Sequence, residues 1–153
     1  MQRLEEIWIT VSVGILIVFM IIVGYQTFAL GMGPPSHKEV IDPQKVDTTA
    51  PFNNPGIKEI GDNEFEVVMT LQAFGFTPNS IELPVGAEVH FTMTSKDVTH
   101  GFQIPGTNIN AMVMPGHIQK ISHTFTKPGE YLVICNEYCG IGHQAMSTTI
   151  TVK

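Results

Sequence analysis

The sequence is poor in basic residues and has no basic patch. Eight Lys and Arg stand against 14 Asp and Glu, which gives a formal net charge of −6. Domains that bind nucleic acid carry clustered positive charge, so nucleic acid is not expected as a partner. The acidic balance favours a basic protein partner instead. With 153 residues and no internal repeat, the chain is predicted to form one modest domain with an appendage.

Charged residues are also absent from Ile7–Leu30, which is rich in Ile, Leu, Val and Met. As a helix this run would extend about 36 Å, enough to cross a hydrocarbon core with some tilt. Trp8 and Tyr25 lie near its two ends, as interfacial aromatic residues do. We therefore predict a transmembrane anchor in residues 1–31. A cleaved signal peptide is the alternative, but the apolar run is long for one and acidic residues precede it.

Regular patterning is missing between the anchor and residue 62. Five of the ten prolines fall in this part of the chain, and Gly31–Pro35 is expected to end the helix because proline cannot continue it. Little apolar content is present. We predict an extended linker over residues 32–62 that lies on a partner surface.

Residues 63–153 show the alternation of apolar and polar side chains that is typical of β-strands. It is clearest in Phe65–Leu71 and Val89–Met93. Proline and glycine separate the segments. Further strands are predicted at Ser80–Leu83, His100–Ile104, Ile118–Phe125, Glu130–Ile134 and Thr148–Val152. Seven or so short strands in about 90 residues indicate an all-β Greek-key sandwich.

Only two cysteines occur, and both lie in the segment Cys135–Met146 together with His143. Thiolate, imidazole and thioether form a soft ligand set that suits copper. Cys139, His143 and Met146 with one further histidine would complete a mononuclear electron-transfer site. Cys135 adds a second thiolate that would bridge two metals, so the pattern favours a dinuclear copper centre. A metal that holds both thiols also explains how they would escape oxidation outside the cytoplasm.

The best candidate for the missing histidine is His100, at a predicted strand end about 35 residues upstream of the cysteines. Gly101 follows it and would let backbone approach closely. The remaining histidines, His37, His90, His117 and His123, have no soft partner nearby in sequence.

Two other interpretations of the cysteines stay open. Cysteines four residues apart can form a local disulfide, although a disulfide explains neither His143 nor Met146. A structural zinc site would use His100, His143 and the two cysteines. It would have little use for the thioether of Met146.

The segment Cys135–Met146, with Val98–Phe102 upstream, resembles subunit II of the haem-copper cytochrome c oxidases. It is similar in particular to the single-helix form found with the B-type (ba-type) enzymes. The resemblance covers the chain from Glu64 to the end and, more loosely, the anchor. It implies a cupredoxin-like fold and a dinuclear CuA centre.

The resemblance also implies the ligands of that centre. Cys135 and Cys139 would bridge both coppers, and His100 and Met146 would complete one of them. The other copper would take His143 and the backbone carbonyl of Glu137. In many relatives the glutamate side chain at this position binds magnesium at the boundary with subunit I, so Glu137 is also a candidate magnesium ligand.

The implied function is electron entry into an oxidase. The centre would accept electrons from cytochrome c and pass them to haem in subunit I, where oxygen is reduced to water and protons are translocated. The chain would sit in the cell membrane as a single-pass protein, assembled with subunit I and other membrane subunits, with the copper domain on the outer side. Alternatives are a membrane-anchored mononuclear cupredoxin carrier, the CuA subunit of a nitric oxide reductase, and a copper chaperone or thiol oxidoreductase.

Two apolar segments are candidates for the surface where electrons enter. Phe74 and Phe76 lie where relatives present aromatic residues, with a core aromatic pair as the alternative. Met112, Val113 and Met114 are a candidate docking patch, with an acidic docking face as the alternative.

Overall fold

The computed structural model describes residues 2–30 and 39–153. The predicted helix stop at Gly31–Pro35 and the linker residue His37 lie outside the described residues. By their contacts, residues separate into two compact units, Met1–Pro34 and Pro35–Lys153.

The first unit contains one α-helix, α1, from Gln2 to Phe28. Its apolar residues are distributed around the whole helix, and its side chains are exposed along nearly the whole length. A helix that is apolar on every side has no polar face to turn toward water. A stretch of 18 residues in α1 has a mean hydropathy of 2.7, and the helix has the length and composition of a membrane span.

The second unit is built from strands, and its described residues contain eleven of them. They are β1 Glu39–Val40, β2 Gly56–Gly61, β3 Glu64–Gln72, β4 Gly75–Thr77, β5 Ser80–Leu83, β6 Glu88–Ser95, β7 His100–Gln103, β8 Asn110–Val113, β9 His117–Thr124, β10 Gly129–Ile134 and β11 Ser147–Val152. Four of these, β1, β2, β4 and β8, are short or irregular in pattern and were not predicted.

The strands form two sheets. One has the order β1-β9-β6-β3-β2, with β4 paired to β3, and the other has the order β5-β11-β10-β7-β8. The pairs β3/β6 and β5/β11 are parallel, and the other pairs are antiparallel. Phe91 and Phe102 are fully buried, with ring centroids 5.2 Å apart. The predicted all-β sandwich with one N-terminal apolar helix is confirmed.

From residue 39 onward, the segment that was predicted to be an extended linker has regular structure instead. It contains β1, the 3-10 helix Pro43–Thr48 and β2. Ile41, Val46 and Phe52 are buried and form a small cluster with Val68 of β3. Because this layer covers the outer side of β3, the strand is buried without alternation from Val67 to Leu71. Among the described residues of this proline-rich segment, three apolar side chains make this contact, which is why composition did not reveal it.

Candidate metal centre

The cysteine segment is the long connection between β10 and β11. Ile134 and Ser147 are the last paired residues of these two antiparallel strands. Cys135 and Met146 follow inside the connection, and the Cys135 N–H donates to the Met146 carbonyl at 3.1 Å. Strand pairing therefore brings the two ends of the ligand segment together.

Inside the connection, a 3-10 turn at His143–Ala145 folds the chain back toward the cysteines. Gly142 precedes this turn with φ 86°, a left-handed conformation that favours glycine. The turn leaves His143 Nδ1 3.5 Å from Cys139 Sγ. Met146 Sδ, in a buried side chain, lies 3.8 Å from the same sulfur.

The upstream side of the site comes from β7, which pairs with β10 through Gln103 and Ile134. His100 begins β7 and is fully buried, and its Nδ1 lies 4.0 Å from Cys135 Sγ. The Gly101 N–H donates to the same sulfur at 3.4 Å. A Cβ on Gly101 would collide with Asn136 and the backbone nitrogen of Glu137. The predicted close backbone approach at this glycine is confirmed.

The six predicted site residues lie together. The two cysteine sulfurs are 3.8 Å apart, and Cys135 Sγ is 3.2 Å from the Glu137 carbonyl oxygen. The donor atoms of His100, Cys135 and Cys139 all lie within 4.8 Å of one another. Both cysteines are free, at a separation far beyond the roughly 2.05 Å of a disulfide bond.

The chemistry of this donor set fits copper. Burial and the neighbouring Cys135 thiol raise the pKa of Cys139 to about 11. Two adjacent thiolates would repel each other, and a cation between them would offset that repulsion. A thioether, two imidazoles and a carbonyl around two thiolates are a soft set, and Met146 beside Cys139 favours copper over structural zinc.

Sequence reasoning missed Asp97, three residues before His100. Its Oδ1 accepts hydrogen bonds from His100 Nε2 at 2.8 Å and from the Val98 N–H at 2.7 Å. Its Oδ2 accepts from the Ala73 N–H at 2.6 Å. Burial raises the pKa of this carboxyl, but these hydrogen bonds outweigh it and hold the pKa below 3.8. The only signal in sequence was a carboxylate close to a candidate ligand.

The apolar segments predicted near the site divide between surface and core. Phe74 is 68% exposed, whereas Phe76 is buried in the core. Met112 is exposed, but Val113 is fully buried, so the patch predicted from Met112 to Met114 is wrong at Val113. Alternation along β8 is the reason, because neighbouring side chains point to opposite faces.

Comparison with known proteins identifies the family. Residues 66–153 match the family model described as "Cytochrome C oxidase subunit II, periplasmic domain". The chain belongs to the cytochrome c oxidase subunit II family. It is similar to a cytochrome c oxidase subunit 2 of Thermus thermophilus, with 43% identity over 97% of the chain and 91% of that relative. A second Thermus thermophilus subunit 2 is 46% identical over 83% of the chain and 96% of the relative.

A solved subunit agrees with this assignment. A chain in the cryo-EM structure of a heme-copper terminal oxidase dimer superposes with a TM-score of 0.81 at 32% identity, over 97% of this chain and 99% of that one. The predicted family, the cupredoxin-like fold and the role as a subunit of an oxidoreductase complex are confirmed. As a subunit II, the chain belongs to a copper-binding family whose members assemble with other oxidase subunits. Helix α1 fits a single-pass membrane protein.

Proposed function

We propose that this subunit II holds a dinuclear CuA centre bridged by Cys135 and Cys139. His100 and Met146 would complete one copper, and His143 with the Glu137 carbonyl would complete the other. The observation that carries the proposal is that both cysteine sulfurs lie among all the other donor groups, 3.8 Å from each other. A site for one metal has no need of the second thiolate.

The centre would exchange single electrons, received from cytochrome c and passed to haem in subunit I for reduction of oxygen to water coupled to proton translocation. This chain's own residues would hold the donor groups at fixed positions and make or break no substrate bond. Two features support a rigid site: His100 and Met146 are buried, and the Cys135 N–H closes the ligand segment on Met146. Rigid ligands keep the geometry similar in both oxidation states, which favours fast electron exchange.

We also propose that α1 anchors the chain in the cell membrane beside subunit I, with the copper domain on the outer side. The apolar character of α1 and the periplasmic description of the matching family model support this location. The Glu137 side chain remains a candidate magnesium ligand at the subunit I boundary. It is half-buried, and one carboxylate would need further oxygen ligands from a partner or water.

The test is electron paramagnetic resonance of the full chain in detergent after loading with copper. We expect two coppers per chain and a hyperfine pattern shared over two nuclei, lost in Cys135→Ser. His90→Gln is the matched control, because His90 lies outside the cluster and bonds to Glu64 and Ser122. One copper per chain with a single-nucleus pattern would reject the dinuclear centre and favour the mononuclear carrier.

A second measurement distinguishes a cytochrome c oxidase from a nitric oxide reductase. The chain is purified with its membrane partners and supplied with reduced cytochrome c, and consumption of oxygen and of nitric oxide is compared. Oxygen consumption supports the oxidase. Turnover of nitric oxide alone would assign the chain to a nitric oxide reductase.

A further inference from the structure

Asp97 connects two parts of the site that are far apart in sequence. Three N–H groups converge on its carboxylate: Val98 N and His100 Nε2 bind Oδ1, and Ala73 N binds Oδ2. His100 is fully buried, and the Asp97 side chain is 35% exposed. The three donors come from the turn between β3 and β4, from the turn before β7 and from β7 itself.

The bond to His100 determines which ring nitrogen carries the proton. An ionised carboxylate can only accept hydrogen bonds, so His100 Nε2 must be the protonated nitrogen. Nδ1 then holds a free lone pair, and it is the nitrogen that faces Cys135 Sγ at 4.0 Å. Carboxylates that bind the outer nitrogen of a metal-ligating histidine fix its tautomer and ring orientation in this way.

The bond to Ala73 reaches the other side of the site. Ala73 precedes Phe74, which has a left-handed φ of 79°. The Phe74 ring lies so close to Gly142 that a Cβ there would be 2.5 Å from it. Gly142 is the residue before His143, and the ring therefore covers the turn that carries the second histidine. A bulky residue with positive φ is uncommon and requires support from its surroundings.

We propose that Asp97 is a positioning residue for both histidines of the site. It presents His100 Nδ1 toward the cysteines, and it holds the turn between β3 and β4 so that Phe74 closes over Gly142. The role of Asp97 in metal binding rests on the proposed copper function. Its effect on the positions of the two histidines is measurable without copper.

The decisive variant is Asp97→Asn, because an amide has one acceptor and one donor group. If the amide oxygen faces His100, the NH₂ group faces the Ala73 N–H, and two donors oppose each other. If the amide is reversed, the NH₂ group opposes the His100 and Val98 donors. Asparagine therefore satisfies one side only, although its shape matches aspartate.

The first measurement is nitrogen-15 NMR of the histidine rings and of the Gly142 backbone amide, in the reduced, copper-free full chain in detergent. We expect His100 as the Nε2–H tautomer in the native chain. In Asp97→Asn we expect a tautomer mixture or a more mobile Gly142 amide. Phe74→Ala should loosen the Gly142 amide and leave the His100 tautomer unchanged. A native His100 protonated on Nδ1, or an Asp97→Asn spectrum unchanged at both His100 and Gly142, would overturn the proposal.

The second measurement is copper titration and voltammetry of the same variants. Loss of the carboxylate that binds the outer nitrogen of a metal-ligating histidine lowers metal affinity by about 10-fold to 100-fold. Loss of a nearby negative charge should also raise the reduction potential. Asp47→Asn is the matched control, since it removes a charge from the Lys96 ion pair next to Asp97 without touching His100. Equal affinity and potential in Asp97→Asn and Asp47→Asn would refute the positioning role.

These results separate the inference from the proposed function. A single-copper signal in the native chain rejects the dinuclear centre, while the copper-free NMR experiment still decides the role of Asp97. If Asp97→Ala does not fold, Asp97→Asn carries the test because it preserves the size of the side chain.

Discussion

The β domain has two regions of contrasting kind. The metal site is built from histidine, cysteine and methionine side chains and tight glycine contacts. The layer formed by residues 39–54 covers the outer side of β3 with ordinary apolar side chains, Ile41, Val46 and Phe52. The metal site has chemistry that is visible as a sequence motif, whereas the layer is defined only by burial. We therefore expect the layer to determine stability and the site residues to determine metal binding, with little coupling between the two.

The largest expected effect is on stability, in Phe52→Ala. Phe52 is 1% exposed, and removal of a buried phenyl ring costs about 3 to 5 kcal/mol because a cavity remains. Unfolding of the full chain in detergent, followed by circular dichroism, measures the loss. Leu132→Ala is the control, since Leu132 is 52% exposed. A changed copper spectrum in the folded Phe52→Ala chain would show that the layer and the site are coupled.

Gly101→Ala should affect the metal site more than the stability of the fold. The added methyl group would collide with Asn136 and the Glu137 backbone, and overpacking of this kind costs about 1 to 3 kcal/mol. A backbone shift that relieves this collision would move the Glu137 carbonyl and the Cys135 sulfur. We therefore expect copper content to fall more than stability. Gly75→Ala, where the methyl group meets open space, is the control. Full copper loading of Gly101→Ala would contradict the close approach.

Gly142→Ala tests the Phe74 contact. Alanine at a left-handed φ costs about 1 to 2 kcal/mol, and the Phe74 ring adds a steric clash. Gly140→Ala isolates the first effect, because Gly140 has φ 114° with open space around its Cβ position. The double variant Phe74→Ala/Gly142→Ala should be less destabilised than the sum of its single variants, as a denaturation cycle would reveal. Strict additivity would place the ring away from the loop.

The smallest effect is a pH dependence of the copper-free chain. Because the pKa of Cys139 is raised from 9.0 to about 11, the folded state disfavours its thiolate. The stability linked to this proton is fully present below pH 9 and is lost as pH rises toward 11. Cys139→Ser should reduce the decline between these values, measured as unfolding free energy against pH under reducing conditions. Parallel curves for the two chains would remove Cys139 as the cause.

Most of the fold could be predicted because its signals are local. The apolar run of α1 is continuous, and the alternation along β3 and β6 follows directly from the two faces of a strand. The misses have physical reasons. β1 and β4 are too short to show a period, and Val68 on the outer side of β3 is buried because a distant segment covers it.

The candidate site also has a part that is visible in the local sequence and a part that depends on the fold. The donor types and their spacing are visible in the sequence, because Cys135, Cys139, His143 and Met146 belong to one connection between paired strands. The fold, by contrast, places the start of β7 beside this connection, which brings His100 to the cysteines and Asp97 to His100. The donors to Asp97 include Ala73, 24 residues away, and no local pattern encodes that contact. Such contacts depend on which strands become neighbours, a property of the whole sheet arrangement.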